Sequence, residues 1–438
     1  MKIKFSKIVN LFLISSVIGV GISYGKLYFF HIMLVILIFL YLYKNDYVIK
    51  IQKLPTNYHY IFYFMFIWYF LSILWSIKIE YTVEYLFYII CGLSIIITLI
   101  YYMKTIEIQN RVFKILAIIF IIEIILSLLE AFTPFRLPIS PFSKYVTYFG
   151  REMKIGNNLD DTVIREILQM PTGFQWNPNN LAITFLILTP FFLLHFNKWF
   201  KYLGLFSILI LIIKSGSRGA FLAFIFMIFL YFVSLNKKRF LIFLCILIFT
   251  ISILFLCSVN LEFLKNSKNH NIRDIAYSFD ALKMYLSFEK LAGTNSITVR
   301  KTLIYNGIKA LKESNYIGVG GGCSKAVQEN LGGVAGRIAS MHNFWIEMLV
   351  DSGVIFTLLF IIWYVYITLK LYLIGISTKD KIFKYYSQSL FLSMSAFSIG
   401  CISASSVIYF FPMWLMFGFA ISTINNYKRY KYENTFIK

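Results

Sequence analysis

Long runs of apolar residues, separated by short polar connections, dominate this chain. A helix needs about 20 apolar residues to cross the hydrocarbon core of a bilayer, and most of the runs reach or approach that length. The pattern predicts twelve spans, at residues 8–25, 27–43, 58–77, 82–102, 112–133, 179–196, 199–214, 219–235, 240–258, 352–374, 385–404 and 408–425. We therefore expect an all-α fold, a polytopic transmembrane helical bundle in which residues 1–438 form a single integral membrane domain.

The connections between the predicted spans alternate in charge. If the N-terminus is cytoplasmic, every second connection carries lysine or arginine, as in Lys237-Lys238-Arg239, and so does the C-terminal tail. The short loops between them carry little, with Lys26 in one and Lys78 in the next. Because cytoplasmic loops of membrane proteins are enriched in Lys and Arg, we expect a multi-pass membrane protein with both termini in the cytoplasm.

Two connections are long, at 134–178 and 259–351, and both fall on the external side of this topology. The cytoplasmic connections are too short to hold a nucleotide-binding domain, and the run Gly318–Gly322 lacks the GK[ST] ending of a phosphate-binding loop. ATP-driven transport by this chain alone is therefore excluded. Any chemistry is expected at the outer leaflet, with substrates that carry their own energy.

Composition narrows the function classes further. Hydrophobic residues make up 59% of the chain and charged residues 14%, whereas a soluble domain has about 25% charged residues, so a water-soluble enzyme is excluded. The net charge of +22 follows the predicted cytoplasmic loops, and we expect no nucleic-acid partner. The five cysteines form neither a CxxC pair nor a Cys/His metal spacing, and we expect no metal and no cofactor.

The sequence Lys214-Ser215-Gly216-Ser217-Arg218-Gly219-Ala220 joins two short predicted spans on the external side. Glycines on both sides of Arg218 allow a tight turn and a close approach to a ligand, and a guanidinium group suits phosphate. Arg218 is therefore a candidate pyrophosphate clamp, with Lys214 and Ser217 as candidate substrate-binding neighbours. The alternative is an arginine that extends to the outer lipid headgroups.

A second motif, Ser340-Met341-His342-Asn343-Phe344-Trp345-Ile346-Glu347, closes the second long loop. Its apolar positions predict a short amphipathic helix that leads through Gly353 into the tenth span. The pKa of histidine lies near neutrality, so His342 is a candidate base for an attacking hydroxyl, with Asn343 beside it as a substrate contact. The alternatives are a structural histidine and, for Glu347, a structural anchor.

Arg300 lies between these two motifs. It is expected to open a helix over about residues 301–313, after which the run Gly318-Val319-Gly320-Gly321-Gly322 allows a tight return toward the membrane. Arg300 is a second candidate anion contact, and the alternative is a solvated side chain.

The stretch Gly173-Phe174-Gln175-Trp176-Asn177-Pro178-Asn179-Asn180 precedes the sixth span on the same side. Proline favours the first position of a helix, and the free amides of a helix start attract anions. Trp176, Asn177, Asn179 and Asn180 are therefore candidate substrate contacts. The competing interpretation is an N-cap with an aromatic anchor.

Glu123, Ser127 and Glu130 share one face of the fifth span. Carboxyl groups at such depth are costly and usually face a partner or a cavity. Glu130, near the outer boundary, is expected to meet Arg218 or Lys214 in an ion pair. The alternative is a polar substrate cavity that includes Glu130.

In combination, the SRGA turn, an arginine before a GVGxG loop, and HNxxxE before the next span resemble the O-antigen ligase and O-antigen polymerase superfamily over about Thr172 to Met416. The resemblance implies a metal-independent glycosyltransferase of the bacterial cytoplasmic (inner) membrane. Its active site would lie on the external, periplasmic side, and its substrates would be sugars linked to undecaprenyl pyrophosphate. It implies that Arg218 and Arg300 bind the pyrophosphate, and that His342 activates the acceptor hydroxyl.

Several functions stay open at this point. A polymerase of O-antigen, capsule or teichuronic-type repeat units is favoured by the WNPNN stretch; a ligase that transfers the finished glycan to a lipid A core is the first alternative. The acidic face of the fifth span motivates a flippase or transporter of a polysaccharide precursor, and a scaffold with a degenerate site is a further alternative. Expected partners are undecaprenyl-pyrophosphate-linked oligosaccharides, membrane lipids, and a chain-length regulator or another polysaccharide assembly protein.

Overall fold

The computed structural model describes residues 5–44, 54–154, 161–235, 296–332, 340–404 and 407–435. Numbered in chain order, the helices are α1 (Phe5–Ile18), α2 (Phe29–Lys44), α3 (Tyr60–Leu71), α4 (Ile79–Tyr102), α5 (Ile106–Phe132), α6 (Asp161–Gln169), α7 (Pro178–Leu193), α8 (Lys198–Lys214), α9 (Arg218–Leu230), α10 (Ser296–Glu313), α11 (Ser324–Leu331), α12 (Phe344–Ser377), α13 (Lys381–Gly400) and α14 (Phe411–Thr435). Short 3-10 turns are found at Gly19–Gly21, Ser72–Trp75 and Val146–Phe149. The strands β1 (Ser23–Tyr24) and β2 (Leu27–Tyr28) pair in an antiparallel hairpin.

The all-α prediction is confirmed for the described residues. Each predicted span except the ninth falls on a helix; the ninth, 240–258, lies outside the described residues, as does the part 259–295 of the second long loop. Among the described helices, α4, α5 and α12 are long and apolar enough to cross a membrane. Shorter apolar helical segments are Phe5–Gly21, Phe29–Lys44, Tyr60–Trp75, Pro178–Leu193 and Arg218–Ser234. The number of spans stays a prediction.

Large apolar side chains cover the outer faces of the helices. On α8, Trp199 and Phe206 are 79% and 65% exposed, and on α5 Ile118 is 59% exposed. Contiguous apolar surface of this kind marks contact with lipid or with another protein. Lipid acyl chains would cover these faces at no cost, so the surface agrees with a multi-pass membrane protein.

Trp414 of α14 is a large, fully buried side chain. Its indole packs so closely on α4 that a Cβ atom added to Gly92 would lie 2.2 Å away. The ring of Phe62 on α3 lies 5.6 Å from it, and its Nε1 donates to the carbonyl of Ile408 at 2.8 Å. With its only polar atom satisfied, Trp414 holds α3, α4 and α14 together through apolar contact.

Connections that the charge pattern assigns to the same side of the membrane contact each other in the structure. At one end, the β1–β2 hairpin meets the first long loop, where the amide of Gly25 donates to the carbonyl of Phe149 at 2.7 Å. At the other end, Nζ of Lys428 in the C-terminal helix donates to the carbonyl of Pro55 at 2.8 Å. We call the first of these the loop end, because both long loops reach it.

A kink in α12 is the feature that positions the loop end. Gly353 has φ 78° and ψ 177° inside the helix, and the glycine run packs into the kink. The amides of Val319 and Gly320 donate to the carbonyls of Val350 and Asp351, at 2.9 and 3.1 Å. The amides of Val319 and Gly320 are therefore bonded to α12. These two donors are not available to a phosphate.

Candidate active site

The SRGA turn lies at the loop end, between α8 and α9. Gly216 has φ +68° and allows the chain to reverse. The hydroxyl of Ser217 lies 3.2 Å from that of Ser403, and a Cβ atom on Gly219 would lie 2.6 Å from the Cβ of Ser403. Glycine is therefore required at 219, because the turn is pressed against the segment that follows α13.

Arg218 is the first residue of α9, and its side chain is exposed. No described residue forms a hydrogen bond or ion pair with its guanidinium group. A cation at a helix start opposes the helix dipole, whereas the same site favours a bound anion. Arg218 is thus available to a ligand at the loop end.

The HN motif contacts the same segment after α13. The amide of Phe344 donates to the carbonyl of Cys401 at 3.2 Å, two residues before Ser403. Asn343 caps α12, since its Oδ1 accepts hydrogen bonds from the amides of Trp345 and Ile346 at 3.2 and 3.3 Å. The cap occupies the Oδ1 atom of Asn343 and leaves its amide nitrogen for a substrate.

Arg300 reaches the HN motif from α10. This helix starts at Ser296, so the prediction that Arg300 opens the helix was wrong: it lies within the first turns. Met341 is held by α10, where a Cβ on Gly307 would lie 2.7 Å from its Cε, and by α11, where Gln328 donates to its sulfur at 3.3 Å. Packing around Met341 places Arg300 close enough to His342 to act on its charge.

His342 is half-buried at this junction and adopts a left-handed backbone conformation with φ 46°. Its Nδ1 has no hydrogen-bond partner among the described residues. Burial, then the charges of Arg300 and Lys154, lower the pKa of His342 to about 4. The imidazole is therefore neutral at pH 7, which is the state that can accept a proton.

Lys154 and Arg151, from the first long loop, are site residues that sequence reasoning missed. Nζ of Lys154 lies 5.5 Å from the ring centroid of Trp176, and the guanidinium carbon of Arg151 lies 4.5 Å from the same ring. In sequence the two cations look like ordinary loop charges, and no motif marks them. They place Trp176, a predicted substrate contact, next to the charges around His342.

The asparagines after Trp176 form the start of α7. Asn177 is the N-cap and its Oδ1 accepts a hydrogen bond from the amide of Asn179 at 2.8 Å, while Pro178 takes the first helical position. Asn180 is buried. The N-cap interpretation is confirmed for Asn177; substrate contacts by Asn177, Asn179 and Asn180 stay a prediction.

Lys214 contacts the first long loop and also the end of α5, where its Nζ lies 5.4 Å from the centroid of the Phe132 ring. Its Nζ lies 3.3 Å from Oε1 of Gln169, the last residue of α6. Arg136 donates to the carbonyls of Leu168 and Met170, the latter at 2.7 Å. The end of α6 is thus bonded to Lys214 of the SRGA turn and to Arg136 of the first long loop.

Glu130 does not pair with Arg218 or Lys214, and that prediction was wrong. The carboxylate is fully buried and accepts hydrogen bonds from the amides of Thr172 and Gly173 at 2.7 and 2.8 Å. Its ionic partner is Arg136, at 3.7 Å. The chain at 136 and 172–173 folds over Glu130 and supplies its partners instead.

We expect Glu130→Gln to destabilise the fold without changing the affinity for substrate. The change leaves Arg136 without its counter-charge and puts an amide NH₂ in place of Oε1, the oxygen that accepts from the amide of Leu137. We expect a cost of about 1.5–3 kcal/mol. The measurement is the midpoint of thermal unfolding in detergent, together with KM. An unchanged midpoint with a raised KM would instead assign Glu130 to the substrate, as its second interpretation holds.

In chemical terms, the loop end combines a neutral imidazole with several cations. Among the described residues, no group of three or more His, Cys, Asp or Glu side chains could hold a metal ion. Guanidinium and ammonium groups bind phosphate oxygens, and an imidazole beside them can remove a proton from a hydroxyl. The arrangement suits transfer of a group away from a phosphate or pyrophosphate.

Comparison with known proteins supports the same assignment. Residues 203–361 match the model of a protein family described as O-antigen ligase, over somewhat more than a third of the chain. The match includes Arg218, Arg300 and His342. A search of curated proteins finds no match. The match over residues 203–361, the O-antigen ligase domain of the family model, supports the resemblance to the O-antigen ligase and O-antigen polymerase superfamily that the motifs indicated.

Proposed function

We propose that this chain is a metal-independent glycosyltransferase that joins undecaprenyl-pyrophosphate-linked oligosaccharides into a bacterial surface polysaccharide. The observation that carries the proposal is the meeting of the SRGA turn and the HN motif on Cys401–Ser403, with Arg300 beside His342. All three motif residues come from the O-antigen ligase domain. The topology that goes with the proposal has twelve spans, cytoplasmic termini and a site open to the outer leaflet.

In the proposed reaction, the acceptor hydroxyl oxygen attacks the anomeric carbon of the donor sugar. The bond from that carbon to the pyrophosphate oxygen breaks and its electron pair stays on the pyrophosphate, while His342 takes the hydroxyl proton. Arg218 and Arg300 stabilise the charge that develops on the leaving pyrophosphate. Each such contact contributes on the order of 2.7–4 kcal/mol if it strengthens in the transition state.

Of the two candidate reactions, we favour polymerisation of repeat units over ligation. Near the end of the first long loop, the aromatic ring of Trp176 lies beside the cations of Arg151 and Lys154. This arrangement fits a sugar next to a pyrophosphate. A ligase that transfers the finished glycan to lipid A core is the second candidate, because the matching family is described as O-antigen ligase. A chain-length regulator or another assembly protein is a proposed partner.

Two experiments test the proposal. Purified protein incubated with lipid-linked repeat units should give longer lipid-linked chains; a lack of product from folded protein, with and without added acceptor, would contradict it. Surface polymer from a deletion strain separates the two acceptors. Single repeats on the normal acceptor identify a lost polymerase, and long unattached chains identify a lost ligase.

The pH dependence follows from His342. Only the neutral imidazole accepts a proton, and the pKa of His342 in the free protein is about 4. We expect kcat/KM to be level from pH 8 to about 5 and to fall to half near pH 4, the pKa of His342 in the unliganded protein. This ratio reports the unliganded protein. Initial rates with a parallel check of folding at each pH measure this. A midpoint at the ordinary histidine value, near 6.5, would contradict it.

A further inference from the structure

We propose that the first long loop completes the anion site, with Lys154 and Arg151 binding the donor's pyrophosphate together with Arg300, and Trp176 holding the sugar beside it. This inference rests on the proposed function and adds residues outside the matched domain. It also gives the loop a role in setting the strength of the base.

Hydrogen bonds fix Arg151 and Lys154 within the first long loop. Arg151 donates through Nη2 to the carbonyl of Gly25 and to the hydroxyl of Ser23, the latter at 3.2 Å. The amide of Lys154 donates to the carbonyl of Pro141 at 2.9 Å. Lys154 is thus anchored through its backbone amide, and Arg151 through one of the two terminal nitrogens of its guanidinium group.

The charge of Lys154 is not compensated by the part of the chain that the structure describes. Its ammonium has no hydrogen-bond acceptor and no carboxylate partner there, and its described contact is the Trp176 ring. Glu152, two residues away, is exposed and forms no ion pair with it among the described residues. A bound anion would supply the counter-charge that the described residues lack.

The groups around Lys154 are cations as well. Burial and the charge of Arg151 lower the pKa of Lys154 below its ordinary value. Burial, Arg300 and Lys154 lower that of His342. Nε of Arg151 is buried without a partner among the described residues. Cations gathered from two separate loops around one imidazole indicate a site built for a multiply charged anion.

Binding of the donor at this anion site should raise the pKa of His342. A bound pyrophosphate neutralises the cations that oppose protonation of His342, so the pKa of His342 rises when the donor binds. The imidazole then becomes a stronger base only in the complex that needs it. The acidic limb of kcat, which reports the complex, should therefore lie at higher pH than that of kcat/KM.

The test uses inorganic pyrophosphate as the probe and Lys154→Gln as the variant. Lys144→Gln is the matched control, because Lys144 is an exposed lysine of the same loop whose Nζ lies 5.1 Å from the Tyr145 ring. We expect Lys154→Gln to raise the pyrophosphate inhibition constant about tenfold or more, the loss of one hydrogen bond to a charged group. Lys144→Gln should leave it unchanged, and Lys154→Arg should retain most of the affinity.

A second measurement does not depend on activity. The chain has five histidines, and isotope-labelled histidine NMR, with His342 identified by its loss in His342→Asn, follows the titration directly. Pyrophosphate should raise the pKa of His342 in the wild type, and Lys154→Gln should raise it in the empty site. If Lys154 never contacts the anion, the rise in the pKa of His342 that pyrophosphate causes should be the same in the wild type and in Lys154→Gln.

The outcomes separate this inference from the proposed function. If the protein binds pyrophosphate through Lys154 but never lengthens lipid-linked repeats, the anion site is supported and the glycosyltransferase function is contradicted. An active enzyme in which Lys154→Gln changes neither the inhibition constant nor the pKa of His342 keeps the function and overturns the inference.

Discussion

Replacing His342 by asparagine is expected to lower the rate of glycosyl transfer by about 10²–10⁴-fold, the usual contribution of a positioned general base. Asparagine cannot take the hydroxyl proton, so the attacking oxygen would have to lose it to water. The backbone at 342 is left-handed, with φ 46°, and asparagine tolerates that region better than alanine. The asparagine variant therefore removes the base with the least disturbance of the turn.

The measurement is the initial rate with lipid-linked repeat units, on protein that elutes and unfolds like the wild type. KM should change little, because the arginines that bind the donor are still present. His195→Asn is the matched control. His195 lies beyond the opposite end of α7 from Trp176, where its Nδ1 accepts a hydrogen bond from the amide of Asn197.

An active His342→Asn protein would remove the catalytic assignment. A rate within about threefold of the wild type corresponds to less than 1 kcal/mol of transition-state stabilisation, too little for a base. Restoration of activity to His342→Asn by added imidazole would support the role in proton transfer, since a structural defect would not respond to it.

The second large effect is expected at Gly353, on stability. A Cβ atom there would lie 2.2 Å from the carbonyl oxygen of Ile317 and 2.6 Å from that of Tyr316, both rigid backbone groups. The φ of 78° adds strain for any other residue. Gly353→Ala should therefore cost about 2–6 kcal/mol, from backbone strain and overpacking together.

Gly332→Ala provides the comparison for Gly353→Ala. Gly332 also has a positive φ, of +64°, but no atom of the described residues lies within 4 Å of an added Cβ. Its variant therefore carries the backbone strain alone, about 1–3 kcal/mol. Thermal unfolding followed by tryptophan fluorescence measures both. If Gly353→Ala unfolds no earlier than Gly332→Ala, the contact between the glycine loop and the α12 kink does not hold the loop end together.

Local patterns predicted much of the architecture. The apolar runs marked the helices because the length of a helix that crosses lipid depends on its own residues. Asn177 and Pro178 predicted the start of α7, because an N-cap and a first-turn proline act within one turn. The HN motif predicted a helix from Phe344, and Gly353 marks its bend. Each of these depends on neighbours in sequence.

The partners of buried charged groups could not be predicted in the same way. Glu130 was expected to pair with the SRGA turn and instead pairs with Arg136. Lys154 carried no signal, because a lysine in a loop looks the same whether solvent or a site surrounds it. Such pairings depend on how loops fold over helix ends, which hydropathy and charge counts do not describe.

The sequence by itself determined the helical membrane architecture, the alternation of basic connections and the three motif residues Arg218, Arg300 and His342. Only the tertiary structure decided that their segments meet at the loop end, that the pKa of His342 is lowered there, and that a lysine from another loop joins them. The reason is physical: span length and capping depend on adjacent residues, whereas a shared site and its electrostatics depend on distances between residues far apart in the chain.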